Sequence, residues 1–76
     1  MEKSEILKKV GKRIKEVRLQ KGISQADLVG RMEGNIDATN ISRIEAGRTN
    51  PTVYTLFRIA EAMEINPKEL LNFEND

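Results

Sequence analysis

The stretch DATNISRIEAGRTNP, Asp37 to Pro51, decides how the rest of the chain reads. Asp37 can cap a helix, and Gly47 supplies a stop, so a helix is expected from Ala38 to about Ala46. With Ile41 at zero and about 100° per residue, Ile44 falls at about 300° and Glu45 at about 40°, on one inward arc. On the same wheel Thr39, Arg43 and Ala46 fall at about 160°, 200° and 140° and face away. Ala38 and Ser42 flank that outer face on one side and Asn40 on the other. Short polar side chains let a helix backbone come close to base edges. Arg43 is long enough to reach guanine O6 and N7, and Thr39 can bond a base edge or pack its methyl on thymine. A plain solvated helix face fits the same residues when the stretch is taken alone.

Glu45 raises a separate question, because a carboxylate on an apolar arc needs a partner. Ahead of it lies another helical stripe, Leu7, Val10, Ile14 and Val17. With Ile14 at zero, Val10 falls at about 320°, Val17 at about 300° and Arg18 at about 40°. Two helices therefore each carry one charge beside a buried stripe, with opposite signs. An Arg18–Glu45 ion pair linking them is expected; the alternative is that each long side chain reaches water independently.

The remaining chain divides at turn signals. The first helix is expected from about Ser4 to Gln20, ended by Gly22. Ser24 can cap a second, with Asp27 three residues on and Leu28 and Met32 on its inner face. Gly34 and Asn35 mark a break, and Ile36 can plug the gap between helices. After the TNPT turn (Thr49–Thr52) a fourth helix is expected from about Val53 to Glu64. Val53, Leu56, Ile59, Ala60 and Met63 should point inward. Asn66 and Pro67 suit the start of a short fifth helix ending at Leu71. Strand patterns and internal repeats are absent, so an all-α bundle with short connections is expected.

Composition narrows function. Seventy-six residues allow one domain, 1–76, and the chain has neither cysteine nor histidine. Disulfides, the usual zinc and haem ligands and the Ser–His and Cys–His nucleophile systems are thereby excluded. No metal, cofactor or catalytic residue is expected, and no convergent acid–base pair suggests an enzyme. The amino-terminal run MEKSEILKKV is broken by charges, unlike a secretory signal or membrane span, so a cytoplasmic location is the default. The net charge of +1 hides an asymmetry. Residues 1–50 hold eleven Lys/Arg and seven Asp/Glu, while 51–76 hold two and five. A basic first part hints at a polyanion, although from the split alone ordinary solvated charge is the favoured reading.

Three segments in order, GKRIKEVRLQKGISQADL (11–28), ISRIEAGRTNP (41–51) and TLFRIAEAMEINPKELL (55–71), resemble the Cro/lambda-repressor-like helix-turn-helix family, often called the Xre family. The resemblance covers roughly residues 11–71. It implies a compact five-helix bundle in which the second and third helices form the helix-turn-helix and the third, about 38–46, enters the major groove. Base contacts then fall on Ala38, Thr39 and Arg43. Backbone contacts fall on Gln25, Asn40, Ser42, Arg48, Thr49 and Asn50, with Asn40 able to reach a base as well. The family also has an Arg–Glu pair at the positions of Arg18 and Glu45. Three departures stand out. The turn MEGNID is about two residues longer than usual, Val29 replaces a common alanine, and Ala38 stands where a long polar residue is frequent.

The expected partner is double-stranded DNA. Two copies related by a two-fold can read half-sites about 34 Å apart, and with no room for a second domain the bundle itself must dimerise. Tyr54, Phe57, Leu71 and Phe73 are the candidate homodimer contacts; Leu70 fits the monomer core better. Promoter occupancy would block or recruit polymerase, as in restriction–modification controllers and small phage-type repressors. An antitoxin that mainly binds a protein toxin is the competing class.

Overall fold

The computed structural model of the chain describes residues 1–73, which form four α-helices and one short 3-10 helix, with no strand among them. α1 is Lys3–Gln20, α2 Gln25–Arg31, α3 Ala38–Glu45 and α4 Val53–Ala62; the 3-10 helix is Pro67–Leu71. The fifth segment is thus a tight turn rather than an α-helix. Asn66 caps it by accepting the Lys68 N–H at 3.0 Å. A five-residue segment leaves little room for an i→i+4 ladder.

Side-chain caps explain the other starts. Ser24 accepts the Asp27 N–H at 2.9 Å, and the Asp27 carboxylate accepts the Ser24 N–H at 3.3 Å, a reciprocal capping box. That backbone bond is the main reason the Asp27 carboxyl is held below its ordinary range. Asp37 accepts the Asn40 N–H at 2.9 Å and Thr52 the Thr55 N–H at 3.0 Å.

α1, α3 and α4 end alike. The N–H groups of Ile23, Arg48 and Ile65 reach back to the carbonyls of Arg18, Arg43 and Ala60 at 3.0, 2.9 and 3.0 Å. Each motif needs a left-handed residue just before that N–H. Gly22 (φ 68°) and Gly47 (φ 76°) serve the first two, but Glu64 (φ 58°) serves the third. For this reason α4 stops at Ala62, short of the expected Glu64.

The core is built from one side chain or more of every element. Ile14, Leu28, Ile41, Ile59, Met63 and Leu70 are fully buried, each contributing about 1.5–3 kcal/mol of apolar burial. Val29, Ile36, Leu56 and Phe73 pack against them from the edge. Val53 departs from expectation: it is the first residue of α4, capped by Thr52, and at that position it projects past the core and is 70% exposed.

α3 rests on α1 and α2, while the 3-10 helix packs against α1 and α4. The α1–α3 approach is close enough to require glycine. A Cβ on Gly11 would lie 2.5 Å from the Glu45 carbonyl oxygen and nearer still to that of Ile44. Arg13 then ties α1 to the chain end, donating from Nε to the Glu69 carbonyl at 2.7 Å.

Candidate nucleic-acid interface

Behind α3 lies a buried polar knot. Arg18 Nε donates to Glu45 Oε2 at 2.7 Å and Nη2 to Oε1 at 3.0 Å, a two-pronged pairing of fork and carboxylate. Arg18 Nη1 donates to the Ile23 carbonyl at 2.8 Å, and Gln25 Nε2 donates to Glu45 Oε1 at 3.0 Å. Four groups from α1, the first turn, α2 and α3 thus meet at one point. The Glu45 hydrogen bonds raise the Arg18 pKa above its ordinary value against the opposing effect of burial, so the guanidinium keeps its charge. Both side chains are largely removed from water. Such a pair adds little net stability over an apolar substitute, but it fixes orientation, and losing one member strands the other.

In front of α3 the picture reverses. Thr39, Asn40, Ser42, Arg43 and Ala46 are exposed and Ala38 is half-buried. Arg48, Thr49 and Asn50 stand exposed on the following turn. The side chains of Thr39, Arg43 and Arg48 bond to no other described residue. The face is polar and basic, with no acidic side chain between Ala38 and Ile44. A helix presented this way, with a long guanidinium and small neighbours, has the shape and donors to lie along base edges. Gln25 stands beside this surface at the start of α2. One Nε2 hydrogen is engaged by Glu45, so Gln25 adjoins the buried knot.

The long turn from Met32 to Asp37 does not disturb the start of α3, because Asp37 still caps it and Ile36 still packs on the core. The added length folds over α4 instead. Gly34 (φ 96°) lies against Arg58, where a Cβ would be 3.0 Å from Nη2. Arg58 was not among the residues the sequence singled out, and its proximity to the turn has no signature in spacing. Gln25 as a partner of Glu45 also went unread, as did Gly11. A glycine inside a strong helical stripe was the available signal for Gly11.

Of the four candidate dimer residues, Tyr54, Phe57 and Leu71 are open, at 72%, 54% and 54% exposure. Phe73 differs: it is half-buried against the core, with the Lys9 ammonium 5.9 Å from its ring centroid. Leu70 is fully buried. Among the described residues no acidic cluster could hold a metal ion, and no helix is long and apolar enough to cross a membrane.

A capped pair of short helices, the second held from behind and open in front, defines the helix-turn-helix class. The chain belongs to the helix-turn-helix family, whose pattern matches residues 14–70. It is 34% identical over 64 residues to an uncharacterized HTH-type transcriptional regulator, y4dJ, of Sinorhizobium fredii, covering 84% of this chain and 80% of that one. It is also 34% identical to the control protein C.BamHI of Bacillus amyloliquefaciens, covering 83% and 76%. The crystal structure of the restriction-modification controller protein C.AhdI from Aeromonas hydrophila superposes with a TM-score of 0.77 at 33% identity, over 84% of this chain and 94% of that one. The family is one of DNA-binding regulators, not enzymes.

Proposed function

We propose that the chain is a sequence-selective transcription regulator that acts as a single domain in the cytoplasm and lays α3 in the major groove of double-stranded DNA. The observation that carries this is the contrast across α3: Glu45 is buried and locked, while Thr39 and Arg43 are exposed and unpartnered. Thr39, Arg43 and the methyl of Ala38 read base edges. Gln25, Asn40, Ser42, Arg48, Thr49 and Asn50 hold the phosphates and set the register. With alanine at 38, discrimination rests on Thr39, Arg43 and duplex shape. Similarity to two control proteins supports a role of the restriction–modification controller type.

The regulator works as a homodimer through the open apolar side chains of α4 and the 3-10 helix. Val53, Phe57 and Leu71 border a cleft of about 380 Å³ with Leu56 and Pro67, and a second copy would cover them.

Selection of bound duplexes from a random pool tests both statements, since a two-fold-symmetric motif is expected. On the selected site Arg43→Ala should cost about 1–3 kcal/mol and relax preference at one base. Arg48→Ala should weaken all sequences alike and lower the salt slope by about one. Equal loss on every sequence for Arg43→Ala would remove it from the base contacts.

A further inference from the structure

Beside α3 lies a cleft of about 330 Å³, walled by the long turn, α3, the turn at 49–52 and the start of α4. Its lining includes Asn35, Asn40, Arg43, Asn50, Thr55 and Arg58, and among the described residues no carboxylate lines it. Two arginines therefore border a small concave space with amide and hydroxyl groups and no carboxylate in its own lining. Such a space carries positive potential and suits an anion with several acceptor oxygens.

Arg58 forms part of its wall in an unusual state. Nη2 is buried and has no hydrogen-bond partner. Glu33, Glu61 and Glu64 line a neighbouring cleft that Arg58 also borders, yet it pairs with none of them. The guanidinium is held by the Tyr54 ring, 5.5 Å from centroid to Cζ, and by the backbone of Gly34. A buried donor left without an acceptor is costly, and an anion seated in the cleft would supply one. The cleft is bordered by Asn40, Arg43, Thr49 and Asn50, which belong to the surface assigned above to the duplex.

We propose that Arg58 takes one phosphodiester of the bound duplex, an added backbone contact that the long turn between α2 and α3 makes possible. The inference rests on the DNA-binding reading. The turn shapes one wall of the cleft through Asn35 and presses Arg58 into place through Gly34. The contact carries no base information, because a phosphate is the same in every sequence.

The test compares wild type, Arg58→Gln and Arg58→Met in duplex titrations across salt concentrations, with the selected site and a random duplex. Arg58→Met keeps a stem against Tyr54 and serves if Arg58→Gln unfolds; thermal melting identifies the folded variant. Binding should weaken about tenfold on both duplexes, and the salt slope should fall by about one. Base preference should not change. A scan with single neutral methylphosphonates should reveal one position that weakens wild type but not the Arg58 variant. Unchanged slope and an unchanged scan in a variant, with wild type binding normally, overturn this contact alone. A wild type that retains no duplex overturns the DNA-binding reading and this contact with it.

Discussion

The inner face of α3 presents Ile41, Ile44 and Glu45, all buried, with Glu45 bonded to Arg18 and Gln25; the outer face presents Thr39 and Arg43, both exposed, with side chains that bond to no other described residue. One helix of eight residues thus divides its work by side. A segment this short is marginal by itself, so its conformation comes from what lies behind it. Freedom in front follows from rigidity behind: residues that hold nothing up can be chosen for the groove. The comparison predicts that substitutions on the two faces separate cleanly into stability and binding.

The sharpest break comes at Glu45. Replacing it with alanine leaves the Arg18 charge buried and takes an acceptor from Gln25, and a cost of about 3–5 kcal/mol is expected in urea unfolding. That is a large fraction of the stability of a domain this size. Arg43→Ala, two residues earlier on the opposite face, should leave the urea midpoint within about 0.5 kcal/mol of wild type. Comparable destabilisation by both would erase the distinction between the faces.

A second blow to the inner face is available without touching charge. Gly11→Ala should raise intrinsic helix propensity by about 1 kcal/mol. The structure predicts the reverse outcome, a loss of about 1–3 kcal/mol, because the new methyl meets the carbonyls of Ile44 and Glu45 and must push α3 outward. Duplex affinity should fall as well, since α3 is presented from that contact. A stabilised Gly11→Ala protein would mean that α1 and α3 have room to separate.

Much of this was legible in the sequence, and the exceptions share a cause. The caps at Ser24 and Asp37, the stops at Gly22 and Gly47, and the stripes around Ile14 and Ile41 are local signals written within a few residues. The meeting of Arg18 with Glu45 was readable because each stands against its own helix's apolar stripe, and two opposite charges in such places have few other partners. What escaped depends on how elements approach one another. Val53 fits the apolar pattern of α4, but at the first position it projects past the core. Arg58 and the long turn meet only because the turn folds over α4, which no periodicity encodes. The end of α4 was misplaced because the left-handed residue there is a glutamate, and the usual glycine mark is missing.

That last point gives the smallest prediction and a check on the C-terminal half. Glu64 adopts φ 58° and completes the same pair of backbone bonds that Gly22 and Gly47 complete elsewhere. A side chain in this region costs about 1–2 kcal/mol relative to an unstrained backbone, and glycine relieves it at the expense of greater unfolded-state freedom. Glu64→Gly should therefore gain roughly 0.5–1 kcal/mol. The opposite exchange tests the same physics in α2, where Gly30 has ordinary helical backbone and open space around its missing Cβ. Gly30→Ala should gain about 0.5–1 kcal/mol. The two gains should add, because the substitutions share no described contact. Thermal melts of the single and double variants decide it. A loss at Glu64→Gly would show that its side chain contributes more to the native state than its backbone conformation costs.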